Sequence, residues 1–234
     1  MKISRLSKAE ISRLRTILGR QPLENYELLW VLDGCLDSPG GTVVGAGSCP
    51  WPAGILVRQR DCFWLRLNNE LLLKDMLGAF PRPDVYRIYT TDNESLEMLQ
   101  RWLPDGDTRQ SVLAVRNVTK TWRKRFEVSP RQVPPLNGVD QHRYILETEQ
   151  GQKIASLTVR NLVENFQEMT DHEFHVEGQH SYWLEEVAGA MVNHFMTLEQ
   201  PVTMRLADEN LLQLLEPLGF RQFSPLYSYV GIME

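Results

Sequence analysis

Three observations in the sequence predict an α/β (α+β) fold in two halves. From Ala53 to Asn117 the hydrophobic spacing alternates between strand-like and helix-like, in the order hairpin, helix, strand, helix, strand. From His172 to Gly219 the spacing reads strand, loop, helix, strand, helix, with the glycine as a stop. Between them, residues 127–141 (EVSPRQVPPLNGVDQ) hold three prolines and no periodicity, which marks a linker. The expected organisation is therefore an N-terminal domain over 1–120, a linker over 121–141 and a C-terminal domain over 142–234.

The individual elements follow from local chemistry. Ser7 with Glu10 three places on is a capping box, and Ile11, Leu14, Ile17 and Leu18 then recur at helical spacing. A second helix is expected over Leu23–Asp33, through Tyr26, Leu29, Trp30 and Leu32, with Gly34 near its end. The glycine-rich run SPGGTVVGAGSCPWP reads as turns around a short strand, since no helix follows it to present N–H groups to a phosphate. Ala53–Arg58 and Cys62–Leu67 form a hairpin across Gln59-Arg60-Asp61, followed by a helix over Asn69–Leu77, a strand over Val85–Thr90, a helix over Glu94–Leu103 and a strand over Ser111–Asn117. Beyond the linker, Arg143–Thr148 and Lys153–Val159 pair around Glu149-Gln150-Gly151-Gln152, and a polar turn over 164–172 leads to an extended segment at 172–176. Residues 183–196 place Val187, Ala190, Met191 and His194 on one helical face; a strand over 202–207 and a helix from Glu209 to Leu218 complete the pattern.

Composition narrows the function classes. With 234 residues, 42 % of them hydrophobic, the chain can bury a sizeable core. A formal charge of −5 and a pI near 5.6 argue against a general nucleic-acid or anionic-membrane binder. The basic run Lys120-Thr-Trp-Arg-Lys-Arg125 reads as a solvated edge or linker. No apolar run is long enough to span a bilayer and MKISRLSKAE lacks a signal peptide's apolar stretch, so a cytoplasmic location is expected. Cys35, Cys49 and Cys62 have no paired spacing, which suits free thiols in a reducing compartment. His172 and His175 fall on opposite strand faces and, with His180, lack a fourth ligand at metal spacing, so no metal is expected.

The strand, loop and helix from His172 onward can hold a phosphate-bearing ligand where the helix begins, because the unpaired N–H groups and the helix dipole there favour negative charge. From Phe174 to Phe220 the chain resembles the second half of the GCN5-related N-acetyltransferases: Asp208 or Asn210 opens a helix that ends in Leu218-Gly219-Phe220 before a last strand, LYSYVGI. Val187-Ala188-Gly189-Ala190-Met191 fits the family's first helix, which registers Gln179 with the opening of its pyrophosphate loop. The resemblance departs at the loop, where His180, Ser181, Tyr182, Trp183 and Leu184 put bulk in place of glycine, and at Leu215, where the family often carries a general-acid tyrosine. Leu14 to Leu18, then Pro22, Asn25, Leu28 and Leu29, look like the opening of two-half members with a degenerate N-terminal copy, and the layout is similar to that of glycine N-acyltransferase-like proteins.

The resemblance implies a mixed, mostly antiparallel sheet flanked by helices in each half, with acetyl-CoA or another acyl-CoA as co-substrate and direct transfer to a small-molecule amine or amino acid. Phe174 and Val176 would then present backbone groups to the pantetheine arm, with Gln179–Leu184 and Asn210 around the cofactor. Glu173 or His175 would act as base through a water, and Tyr227, which alternates with Tyr229 on the last strand, would stand in for the missing acid. Each has a plainer reading as a solvated strand-end residue or a core ring. Trp30, Trp51 and Trp64 suit the core better than a ligand cleft. The competing expectation is an inactive binding or regulatory module that keeps the fold and has lost the chemistry. Neither the amine, the acyl chain nor the oligomeric state follows from the residues.

Overall fold

The structure, a computed structural model, describes residues 2–37, 41–47, 52–80, 85–116, 129–133, 141–147, 151, 153–161, 167–174, 201–207 and 209–231. The chain divides into two compact units, Met1–Ser111 with Ser224–Glu234, and Val112–Phe223.

Unit 1 begins with β1 (Ile3–Arg5), α1 (Lys8–Leu18) and α2 (Tyr26–Asp37). The capping box forms as expected, with Ser7 Oγ accepting from the Glu10 N–H and the Glu10 carboxylate accepting from the Ser7 N–H at 2.8 Å. Arg15 of α1 holds Asp33 of α2 through both its Nε and its Nη2. Gly34, expected near the end of the second helix, lies inside α2. A Cβ there would come within 2.6 Å of Gln59 Nε2, the movable tip of a side chain on the neighbouring strand.

The unit continues with β2 (Gly41–Ala46), β3 (Gly54–Gln59), β4 (Cys62–Leu67), α3 (Leu71–Leu77), β5 (Tyr86–Thr90), α4 (Asn93–Trp102) and the first part of β6 (Asp107–Arg116). The β3–β4 hairpin pairs Gln59 with Cys62 and carries Arg60 at φ 56°, the left-handed conformation that tightens the turn. Asp92, ahead of the expected start at Glu94, caps α4 by accepting from Glu94 and Ser95 N–H. Phe63, Leu65 and Leu67 on one face of β4 join Met76, Ile88, Leu99 and Leu103 in the core against α3 and α4.

Unit 2 holds the end of β6, β7 (Ser129–Val133), β8 (Gln141–Glu147), β9 (Lys153–Asn161), β10 (Gln167–Phe174), β11 (Val202–Leu206), α5 (Glu209–Leu215), a single 3-10 turn (Glu216–Leu218) and the start of β12 (Arg221–Gly231). Gly219 at φ 90° ends the helical segment, as its place in the sequence predicts.

Both units are mostly antiparallel and each contains one parallel pair among its described strands. Unit 1 runs β1-β2-β3-β4-β5-β12 with β4 and β5 parallel; unit 2 runs β6-β11-β10-β9-β8-β7 with β10 and β11 parallel. In each, the strand beside the parallel pair comes from the other half of the sequence: Tyr227–Gly231 of β12 pairs with β5, and Val112–Arg116 of β6 pairs with β11.

The compact units divide between residues 111 and 112, and residues 224–234 belong with unit 1 through the ladder of β12 on β5. Two sequence expectations change. The expected linker contains β7, whose Pro130 sits in a strand at the end of the unit's order, where a missing ladder donor is tolerated. The expected polar turn over 164–172 is mostly strand, because β10 starts at Gln167, and Glu168 is buried at 1 % exposure where the pattern suggested solvent. β1 has no counterpart among the expected elements. The helix expected over 183–196 and the basic run 120–125 lie outside the described residues.

Candidate functional site

The parallel pair of unit 2 parts. Gln167, Glu168 and Met169 stand opposite Val202, Thr203 and Met204, and among the described residues the pairing ends there, while β10 continues to Phe174 and β11 to Leu206. Strand residues beyond the last rung keep backbone donors and acceptors on the side that faced the partner, and such groups require partners. A ligand lying along β10 as a third strand would supply them. Met169, Met204 and Leu206 are fully buried, and α5 packs on β11 with Leu212 and Leu215 buried.

β10 also bulges at this point. Thr170 stands opposite Thr158 and Glu173 opposite Ser156, so β10 spends three steps where β9 spends two. The extra residue lies within Asp171–His172, immediately past the last rung with β11. A bulge changes which face later residues occupy: Glu173 falls in register with Ser156, itself buried at 1 %, and Phe174 with Ala155.

Of the residues the sequence singled out, Glu173 and Phe174 lie on this parted stretch of β10. Asn210 is exposed in the first turn of α5. Tyr227 is half-buried on β12 opposite Thr90 and belongs to unit 1, so the suggested base and acid fall in different units. Its neighbour Tyr229 is a core residue whose hydroxyl donates to the Leu103 carbonyl; burial, then Asp105 and Asp107, push its ionisation above the usual phenol range. His175, Val176, Gln179, His180, Ser181, Tyr182, Trp183, Leu184 and Asp208 lie outside the described residues. Leu215, at the position where the resemblance expects an acid, has no exposed surface and its carbonyl accepts from the Phe220 N–H. Below it, Arg116 Nε donates to the Leu218 carbonyl at 2.5 Å, and burial pulls the guanidinium below its ordinary value.

Unit 1 repeats the parting in sealed form. Its pairing runs from Cys62 opposite Arg87 to Trp64 opposite Tyr89, and β4 goes on to Leu67. There the Leu67 N–H donates to Ser95 Oγ at 2.9 Å. The Ser95 proton has two acceptors in reach, Asp92 at 2.6 Å and the Leu67 carbonyl at 3.2 Å. Ser95 is fully buried, and only Asn68–Glu70 connect β4 to α3. The first turn of α4 thus occupies what a ligand would need.

Sequence reasoning missed both the bulge and the seal. The bulge had a signal: Met169 and Phe174 are five apart, so a regular strand would divide these apolar residues between faces. Ser95 had none, since a serine in the first turn of a helix ordinarily meets solvent. Among the described residues no group of three or more His, Cys, Asp or Glu could hold a metal, and no helix is long and apolar enough to cross a membrane.

No family model matches the sequence, and neither does any curated protein. Solved structures do match in fold. A Drosophila protein shares 12 % identity over 99 % of this chain and 98 % of its own, with a TM-score of 0.62. A GNAT-family acetyltransferase from Colwellia psychrerythraea shares 11 % over 99 % and 100 %, at 0.58. A tandem GNAT protein from the clavulanic acid biosynthesis pathway shares 8 % over 99 % and 98 %, also at 0.58. This chain has the GCN5-related N-acetyltransferase fold, and its mostly antiparallel units each carry the parted parallel pair.

Proposed function

We infer that this protein is an acyl-CoA-dependent N-acyltransferase acting on a small amine, with unit 2 holding the donor. The observation that carries the reading is the β10–β11 pair, which among the described residues parts after Met169 and Met204, with the bulge of β10 just beyond, so that an extended donor arm would lie along Thr170–Phe174. Acetyl-CoA or another acyl-CoA would lie along that stretch as substrate, with Gln179–Leu184 toward its phosphates. In direct transfer the amine lone pair attacks the thioester carbonyl and its proton passes to a base. The C–S bond then breaks and the thiolate takes a proton to leave as free CoA. Glu173, on the parted stretch, is the residue we assign as base, acting through water.

The second reading, a binding module without catalysis, is favoured by Leu215, a buried hydrocarbon that cannot protonate a leaving thiolate. One experiment separates them. The melting temperature is followed across titrations of acetyl-CoA, longer acyl-CoAs and CoA, and free thiol is then measured with a panel of amines. A saturable rise with amine-dependent thiol release supports transfer; a rise without thiol release for any amine supports the module. No rise with any CoA species refutes the donor site itself.

A further inference from the structure

We infer that Met169 and Met204 limit the acyl chain of the donor, so that unit 2 takes an acetyl group or one little longer. The inference rests on the donor site assigned above and adds that site's specificity. Chain order decides which end of the donor meets the two methionines. Gln179–Leu184, assigned to the phosphates, follow β10 in the sequence, so the phosphate end lies toward Phe174 and the thioester end toward Thr170. Thr170 is the first residue of β10 past the rung that pairs Met169 with Met204. An acyl group carried by that thioester therefore points at this rung.

The rung leaves no way onward. Behind it Glu168 stands opposite Thr203 and Gln167 opposite Val202, and strands paired at about 4.8 Å admit no chain between their backbones. The acyl chain must then turn to one face of the sheet or stop. Met169 and Met204 share one face with Leu206, and Glu168 and Thr203 share the other. Met169 and Leu206 have no accessible surface, and Met204, Glu168 and Thr203 have 1 % each, so both faces are filled at this level. A side chain without accessible surface borders no void that would hold a water, and none that would hold a further methylene. On the second face a hydrocarbon would also displace Glu168 and Thr203 from interactions they already make. Methionine is unbranched and yields under pressure, so the limit is graded: each added methylene weakens binding instead of strengthening it.

The test uses the full chain without an amine, so that no transfer occurs, and reads the affinities of acetyl-CoA and pentanoyl-CoA by calorimetry. The native protein should bind acetyl-CoA about tenfold more tightly, or better. Met204→Ala and Met169→Ala each remove about three side-chain atoms, room for the added methylenes of pentanoyl, and should bring the two affinities within about threefold. Met76→Ala makes the same truncation in the core of unit 1 and should leave the native ratio unchanged. Melting temperatures are read alongside to show that the variants fold, and Met204→Val or Met169→Val replaces an alanine variant that does not melt cooperatively. A ratio unchanged by substitution at both methionines overturns the inference, as does a ratio that Met76→Ala alters just as much. Pentanoyl-CoA bound by the native protein as tightly as acetyl-CoA refutes the limit and leaves the donor site standing. No binding of any CoA species refutes the donor site itself, and the limit with it.

Discussion

Replacing Asn25 tests whether the α1–α2 corner is held by one buried amide. Asn25 is 3 % exposed; its Nδ2 donates to the Leu18 carbonyl at 3.2 Å and the Gln21 carbonyl at 3.0 Å, while its Oδ1 accepts from Arg66. The two carbonyls keep their backbone partners, the Gln21 and Asn25 N–H groups, after truncation. Arg66 is exposed and rehydrates, so Asn25→Ala loses chiefly the two amide bonds, about 2–3 kcal/mol in all. At this chain length that lowers the melting temperature by roughly 4–12 °C. Asn25→Asp is the discriminating variant, for it keeps the acceptor toward Arg66 but points a carboxylate oxygen at two carbonyls. It should be at least as unstable as Asn25→Ala in urea unfolding. Either variant within about 0.5 kcal/mol of the native protein, or rescue by Asp, refutes the reasoning, because the donors would then carry no load.

Other consequences are open to the same kind of measurement. A Cβ at Gly106 would overlap the Tyr229 hydroxyl and two of its ring carbons, so Gly106→Ala should destabilise by about 2 kcal/mol or more, and adding Tyr229→Phe, which keeps those ring carbons, should not restore the native stability. Burial pushes the Cys35 thiol up to about 11 from an ordinary value of 9.0. At pH 8 that leaves roughly 0.1 % thiolate, so Cys35 should resist a disulfide reagent until the protein unfolds. The same shift contributes stability that is fully present below pH 9 and is lost as pH rises toward 11, the unfolded thiol giving up its proton first. Tyr229, raised in the same direction, adds to that alkaline loss, and Cys35→Ala should flatten the profile over pH 9–11. Ser95→Ala should lower the melting temperature measurably, since it strands the Leu67 N–H and removes the Asp92 contact inside the core.

Much of the fold was legible because its signals are local. The capping box at Ser7 and Glu10, the hairpin around Arg60 and the stop at Gly219 each need only neighbours in sequence to explain them, and each forms within a residue or two of where the pattern puts it. β10 was misread as a turn because the usual alternation signal fails where a strand buries a polar group: Glu168 is as buried as any leucine. The resemblance in the C-terminal segment pointed to the fold that the solved structures share. Of the candidate site, it indicated the strand carrying Glu173 and Phe174, but neither the bulge nor the parting from β11.

The sequence by itself determined most of the described helices and strands of unit 1, and that glycine or a cap belongs at particular ends, because periodicity and capping act over one or two turns. Tertiary structure alone decided which strand completes which unit. β6 follows α4 yet ladders with β11, and β12 follows α5 yet ladders with β5, a choice made by pairing between residues more than eighty positions apart. It also decided that, among the described residues, β10 and β11 part after Met169 and Met204, while the parting of β4 and β5 is filled by Ser95. Backbone donors and acceptors are identical at every residue, so nothing in residue type records whether a neighbour has already satisfied them.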